Sequence, residues 1–516
     1  MGCRTQGWVV SDVADEAGPG VDETFRALPL SGLADAALER ARAAGAEHAD
    51  LRVQRMLETG LSLRDARLAS SDDRDDLGLA VRVLVDGVWG FAAAGSLTPE
   101  AAVRAADEAV QLARLCAPLA AERVELAEEP VHRDAVWVSD YRIDPFTVPR
   151  GEQVGLLIDW SARLLEAPGI DHVDARVGLL KEQKYYADLA GTVTLQQRVM
   201  ISPELTAVAL TGEGAETMRT LAPATARGWE LMLSEGHDWE GELAELPEHL
   251  AARVRAVSVE PGVYDLVIDP TNLFLTVHES IGHATELDRA LGYEAAYAGT
   301  SFATPDRLGE LRYGSELLTV TGDRTTPHGG ATIGYDDEGV ATGSWDIVRD
   351  GVLVGYQVDR AMARRQGLAR SNGCAYADSA GHVPVQRMAN VSVRPDPAGP
   401  DTAELIAGVQ HGIYVVGDKS WSIDMQRYNF QFTGQRFYRI TDGRLGVQLK
   451  DVAYQASTPE FWASLTRLGG PGTYYLGGAA NCGKAQPGQT AWVSHGAPST
   501  LFERIRVLNT RAEAGR

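Results

Sequence analysis

The stretch Thr276-Val277-His278-Glu279-Ser280-Ile281-Gly282-His283 carries the side chains needed to hold a metal ion and activate a water. Neutral imidazole nitrogens suit Zn²⁺, and a carboxylate beside one of them can take a proton from a bound water. The pattern is H-E-x-x-x-H, one residue longer than the zincin H-E-x-x-H, whose histidines share a helix face. At about 100° per residue, four positions leave a net turn of about 40°, and five leave about 140°. On a regular helix His278 and His283 would therefore point apart. The spacing predicts a helix that widens or ends between them, with Gly282 as the place for a one-residue π-bulge. Two ordinary helix histidines beside a solvated glutamate would read the same way, so the other ligands decide.

A catalytic zinc needs a third protein ligand and an open position, whereas a structural one needs a fourth ligand. The candidates are Cys482, Glu286, Asp288, His382 and His495. Cys482 lies in Gly477-Gly478-Ala479-Ala480-Asn481-Cys482-Gly483-Lys484, where glycines allow close backbone approach. A thiolate there would be a strong zinc ligand, and an inert buried cysteine is the plainer reading. Glu286 and Asp288 follow His283 closely and could orient its ring from behind, or simply be solvated. The Gly- and Ser-rich segment 364–390 holds Arg370, Asn372, Tyr376 and His382. These are candidates for binding substrate or stabilising an oxyanion, against a purely scaffolding role.

An apolar strand, 263–268, leads into the metal helix. Upstream, 33–44, 101–115 and 152–165 carry helical spacing, the second opened by Thr98-Pro99-Glu100. Strand patterns occupy 49–56, 60–63, 77–93 (a hairpin at Asp86-Gly87), 172–180, 183–189 and 192–200. Residues 229–255 read as helical in parts, interrupted at Pro247, and 288–301 as a loop. Beyond the helix the chain turns to strands, with hairpins at Asp350-Gly351 and Asp442-Gly443 and a last strand over 499–508. The expected class is α+β: an N-terminal α/β domain, then a β-rich, mainly antiparallel domain bearing the metal helix. The expected divisions are an unordered extension over 1–28, a subdomain over 29–135, a strand-rich segment with a linker helix over 136–257, and the metal domain over 258–516.

The chain has 516 residues, 44% hydrophobic and 23% charged, which is enough for two or three domains. A net charge of −23 argues against nucleic acid or an anionic membrane as partner. The four cysteines are scattered, suggesting neither a zinc knuckle nor a disulfide framework. The sequence shows neither a signal peptide nor an apolar run of spanning length, so a cytoplasmic protein is expected.

From about residue 51 to 508 the chain resembles the TldD/PmbA metallopeptidases, and their TldD branch in particular. The resemblance is carried by His278-Glu279-Ser280-Ile281-Gly282-His283-Ala284-Thr285-Glu286-Leu287-Asp288, by Asp336-Asp337-Glu338-Gly339, by His382-Val383-Pro384-Val385-Gln386-Arg387-Met388 and by Asn481-Cys482-Gly483-Lys484. It implies one Zn²⁺ held by His278, His283 and Cys482, with Glu279 as general base. It implies cleavage of unfolded or extended peptides that enter as an added strand. It also implies a dimer, either of like chains or with a PmbA/TldE-like subunit. A non-catalytic peptide-binding or partner subunit is the alternative, and a zinc amidase for small amides a third reading. An intact Glu279 favours the peptidase, since binding alone needs no base.

Overall fold

The computed structural model describes residues 19–212, 214–486 and 488–515. Its fold is α+β with mainly antiparallel sheets. The first half is a seven-stranded sheet whose main path runs Val88–Ala94, Arg67–Val85, His48–Arg64, His172–Asp188, Val193–Thr211, Ala135–Val138, with Gly214–Arg219 also on Val193–Thr211. Thus 29–135 and 136–257 build one sheet together.

Strand alternation gives this sheet two unlike faces. Leu51, Val53, Val81 and Tyr185 pack under the helices Leu30–Ala43 and Pro99–Cys116. On the same face, Leu61, Leu63, Val177 and Leu205 pack under Arg150–Leu165 and Trp239–Arg255. The opposite face is polar but buried. Arg52 and Lys184 both pair with Asp337, Arg82 pairs with Glu338, and Gln54 donates to Ala377 O at 3.1 Å. This face meets the second half of the chain, whose Asp337 and Glu338 answer the charges of Arg52, Lys184 and Arg82.

The second half is built on an eight-stranded sheet that closes on itself. His411–Ile423, Gly262–Ile268, Thr500–Asn509, Val452–Ser457 and Asn429–Thr441 pair in a ring, filled by aromatic side chains such as Phe430, Tyr454, Phe461 and Phe502. Gly262–Ile268 feeds directly into the helix Pro270–Val277. Asp269 caps that helix by accepting from Thr271 N, and Pro270 occupies its first turn. A separate hairpin, Tyr475–Lys484 with Gln489–Ala497, crosses over the end of this helix.

Local reading and structure part in several places. The extension expected over 1–28 falls mostly outside the described residues, but Glu23–Arg26 is helical and Phe25 lies in the core. The strand signals at 49–56 and 60–63 are one strand, His48–Arg64, as are 172–180 and most of 183–189. Pro247 does not interrupt Trp239–Arg255. Burial of Trp239, Leu243, Leu246 and Leu250 along one face outweighs the lost hydrogen bond. The expected loop at 288–301 starts within a short helix, Leu287–Ala290.

Candidate metal centre

The helix Pro270–Val277 continues into a π-helical turn, His278–Gly282, where His283 N donates to His278 O. The extra residue per turn brings the two rings onto one side, with centroids 4.7 Å apart. Widening loosens the ordinary ladder, and side chains catch its carbonyls. Tyr313 OH donates to Ser280 O at 2.5 Å, Thr285 Oγ1 to Ile281 O at 2.8 Å, and Gln357 Nε2 to Gly282 O at 2.7 Å. Gly282 packs closely here: a Cβ would lie 2.5 Å from Met388 Sδ, so the buried methionine side chain would have to move.

The hairpin delivers the third group. Cys482 Sγ lies 3.7 Å from His283 Nε2, and donor atoms of His278, His283 and Cys482 all fall within 4.8 Å of one another. All three residues are buried. Hydrogen bonds behind the rings fix which nitrogens face inward. His283 Nδ1 is 2.7 Å from Glu286 Oε2, a pure acceptor, so Nδ1 carries the proton and Nε2 a lone pair. His495 Nδ1 donates to Val391 O at 2.9 Å, leaving its Nε2 to accept from His278 Nδ1 at 2.7 Å. That bond leaves His278 Nε2 free as well. Burial holds both His278 and His495 below the ordinary histidine value, which keeps them neutral. Burial pushes the Cys482 thiol up, but the His283 ring and the Arg387 guanidinium outweigh it and leave it below its usual value. Two imidazoles and a thiol held below its usual value, with no fourth donor grouped with them among the described residues, fit a borderline-soft divalent ion with one open position.

Glu279 is buried beside this cluster, and Arg427 Nη1 donates to its Oε2 at 2.5 Å. Burial opposes the carboxylate charge, but His283, His278 and Arg427 overcome it and hold Glu279 below the usual range. Behind His283, Glu286 accepts from Lys484 Nζ at 2.9 Å, and the same amine bonds Asp288 at 2.9 Å. Glu286 and Asp288 therefore stand behind the rings, not among the inward-facing donors.

The remaining sequence candidates are engaged elsewhere. Arg370 pairs with Glu129 at the surface. Asn372 accepts from Val358 N and donates to Tyr356 O. Tyr376 lies under Lys184, whose Nζ is 4.0 Å from the ring centroid, and His382 pairs with Asp378. Three residues near the site carried no assigned role in the sequence: Arg427, Lys484 and Arg387, which donates to Cys482 O. Lys484 and Arg387 lay in segments that carried the resemblance, whereas Arg427 lay in none of them.

Residues 261–509 match the PmbA/TldA metallopeptidase C-terminal domain, and 49–113 match domain 1 of the same family. A metalloprotease of Methanothermobacter thermautotrophicus is 28% identical over 465 residues, spanning 90% of this chain and 96% of its own length. A zinc metalloprotease TldD homologue of Saccharolobus solfataricus is 22% identical, over 91% of this chain and 98% of its own. In fold, the chain is similar to TldE from Thermococcus kodakarensis, with a TM-score of 0.67 at 16% identity, covering 91% of this chain and 98% of that one. With both halves of the chain matched by one family's domains, and relatives aligned along nearly its full length, the chain belongs to the TldD/PmbA family of metallopeptidases.

Proposed function

We propose that the chain is a zinc-dependent peptidase of the TldD branch, holding one Zn²⁺ through His278, His283 and Cys482. One observation carries this reading: three donor atoms of zinc type converge within 4.8 Å. Hydrogen bonds to the back of both rings leave each Nε2 free to bind. When bound, the ion would supply Lewis acidity to a water and to a substrate carbonyl.

The chain's own residues do the rest. Glu279 takes the proton of the attacking water and later hands it to the leaving amine. Glu286 and His495 keep the rings from turning. Substrates are unfolded or extended peptides. In support, Tyr475–Lys484 pairs on one side only among the described residues, leaving an edge beside Cys482 for an added strand. That edge borders a groove of about 390 Å³ lined by Gly477, Ala479, Asn481, Phe274 and Trp421. The chain works as a dimer in the cytoplasm, with itself or with a TldE-like subunit. No helix among the described residues is long and apolar enough to cross a membrane.

The test is digestion of an unstructured peptide mixture by the zinc-loaded chain, alone and with a TldE-like partner, followed by mass spectrometry. Cleavage that a chelator abolishes and zinc restores is expected. Glu279→Gln should retain zinc and lose cleavage by about 10²–10⁴-fold. A fully loaded chain that cuts nothing with its partner would leave only the peptide-binding role.

A further inference from the structure

We infer that Arg427 is a catalytic residue, the donor that receives the negative charge of the scissile carbonyl oxygen when water adds to the peptide bond; this rests on the peptidase reading. Peptide hydrolysis needs such a donor aimed where charge develops. Arg370, Asn372, Tyr376 and His382 are all engaged elsewhere. Arg387 donates to Cys482 O and Gln489 O, and its own Nε, like that of Arg427, has no partner among the described residues. Arg427, by contrast, touches the proposed base itself.

The backbone around Arg427 is built to present it. The residue sits in the turn joining His411–Ile423 to Asn429–Thr441, with φ of 61°. A non-glycine residue in the left-handed region persists only where its surroundings over-determine it. Here they do. Asp424 accepts from Gln426, Tyr428 and Asn429 N, and Thr458 Oγ1 donates to Arg427 O at 2.7 Å. From the other side, Thr300 N donates to Met425 O and Phe302 N to Gln426 O. Gly299 fits against this turn because a Cβ would lie 2.0 Å from Met425 O.

The guanidinium itself is under-used. Its Nη1 holds Glu279, while its buried Nε has no hydrogen-bond partner among the described residues. A buried, unpaired donor is costly, and this one lies beside the proposed base, where an arriving acceptor can use it.

The chemistry then follows without further parts. The water oxygen bonds to the carbonyl carbon, the C=O π pair moves onto oxygen, and the water proton passes to Glu279. Glu279 becomes neutral at the step in which the carbonyl oxygen becomes negative. The hydrogen bond of Arg427 shifts from one to the other, so its positive charge always faces one anion. When the C–N bond breaks, the oxygen's pair re-forms C=O and Glu279 protonates the departing nitrogen. The original ion pair returns.

The test uses the zinc-loaded chain, a peptide that the wild type cuts, and a phosphinate copy of it with a tetrahedral anionic group at the scissile bond. Arg427→Gly removes the side chain while relieving the left-handed backbone; Arg427→Lys keeps the charge. The expectation for Arg427→Gly is a kcat about 10²–10³-fold lower with KM nearly unchanged, as for loss of one oxyanion donor. Its phosphinate affinity should fall by the same factor, since the interaction belongs to the transition state. Zinc content should stay at the wild-type value, and added guanidinium ion should restore part of kcat. Unchanged kcat, or a lost kcat with wild-type phosphinate affinity in both variants, would overturn the assignment. A wild type that cuts no peptide is a different result: it sinks the peptidase reading itself.

Discussion

His278 and His495 share a hydrogen bond of 2.7 Å, and with it His495 dictates which nitrogen of His278 can bind a metal. The ring of His495 is in turn fixed by Val391 O at 2.9 Å, so the chain of donors runs from backbone to ligand. His495→Phe would keep the bulk and remove the acceptor. Zinc affinity is expected to fall by about 10–100-fold, the usual cost of losing a partner behind a ligating histidine. Competition against a chromophoric chelator measures it. Equal affinity in variant and wild type would mean that His278 needs no such orientation.

The contact between Gly282 and Met388 makes the widened turn testable as a packing feature. Gly282→Ala places a methyl group 2.5 Å from the Met388 sulfur. A destabilisation of about 1–3 kcal/mol is expected, together with weaker zinc binding as the rings are displaced. Met388→Ala opens the space, so the double variant should regain much of what Gly282→Ala loses. Simple addition of the two single effects in urea unfolding would rule out this contact as the cause.

Lys484 holds together the carboxylates behind His283. Its amine lies 2.9 Å from Glu286, 2.9 Å from Asp288 and 3.2 Å from Glu294, all buried. Lys484→Met would leave these charges facing one another, with Arg289 alone to answer them. Removing one partner of a buried pair costs about 3–5 kcal/mol, and that loss is expected in chemical denaturation. Zinc binding should weaken too, because Glu286 orients His283. A variant as stable as the wild type would show that water reaches this cluster.

How much of this could be read in advance depended on distance along the chain. His278, Glu279 and His283 lie within six residues, so a shared metal required a helix that widens or ends between them, and a π-helical turn occurs there. The glycines around Cys482 hinted at a close approach without saying to what. Arg427 gave no hint: it reaches Glu279 only because the ring of strands places a hairpin turn beside the metal helix. The long strands were fragmented by the same limitation. Residues 57–59 broke the strand pattern, yet pairing with both neighbours carries His48–Arg64 through them, with Glu58 opposite Arg74 and Leu180.

Asp359 makes stability depend on pH in a definite direction. It caps the helix Arg360–Arg365 by accepting from Met362 N at 2.8 Å. Burial, then the Glu338 carboxylate nearby, push its carboxyl up to about 8. In the unfolded chain an aspartate titrates near 3.9. Between those values the folded state keeps a proton that the unfolded state has released, so stability is full below about pH 4 and declines as pH rises through about 8. Asp359→Asn retains an acceptor for Met362 N and cannot ionise. The two proteins should therefore melt together below about pH 4, and the asparagine variant should melt progressively higher as pH rises towards about 9. Calorimetry across that range decides it: parallel curves would mean that Asp359 is already ionised throughout, with Arg82 rather than a proton balancing it.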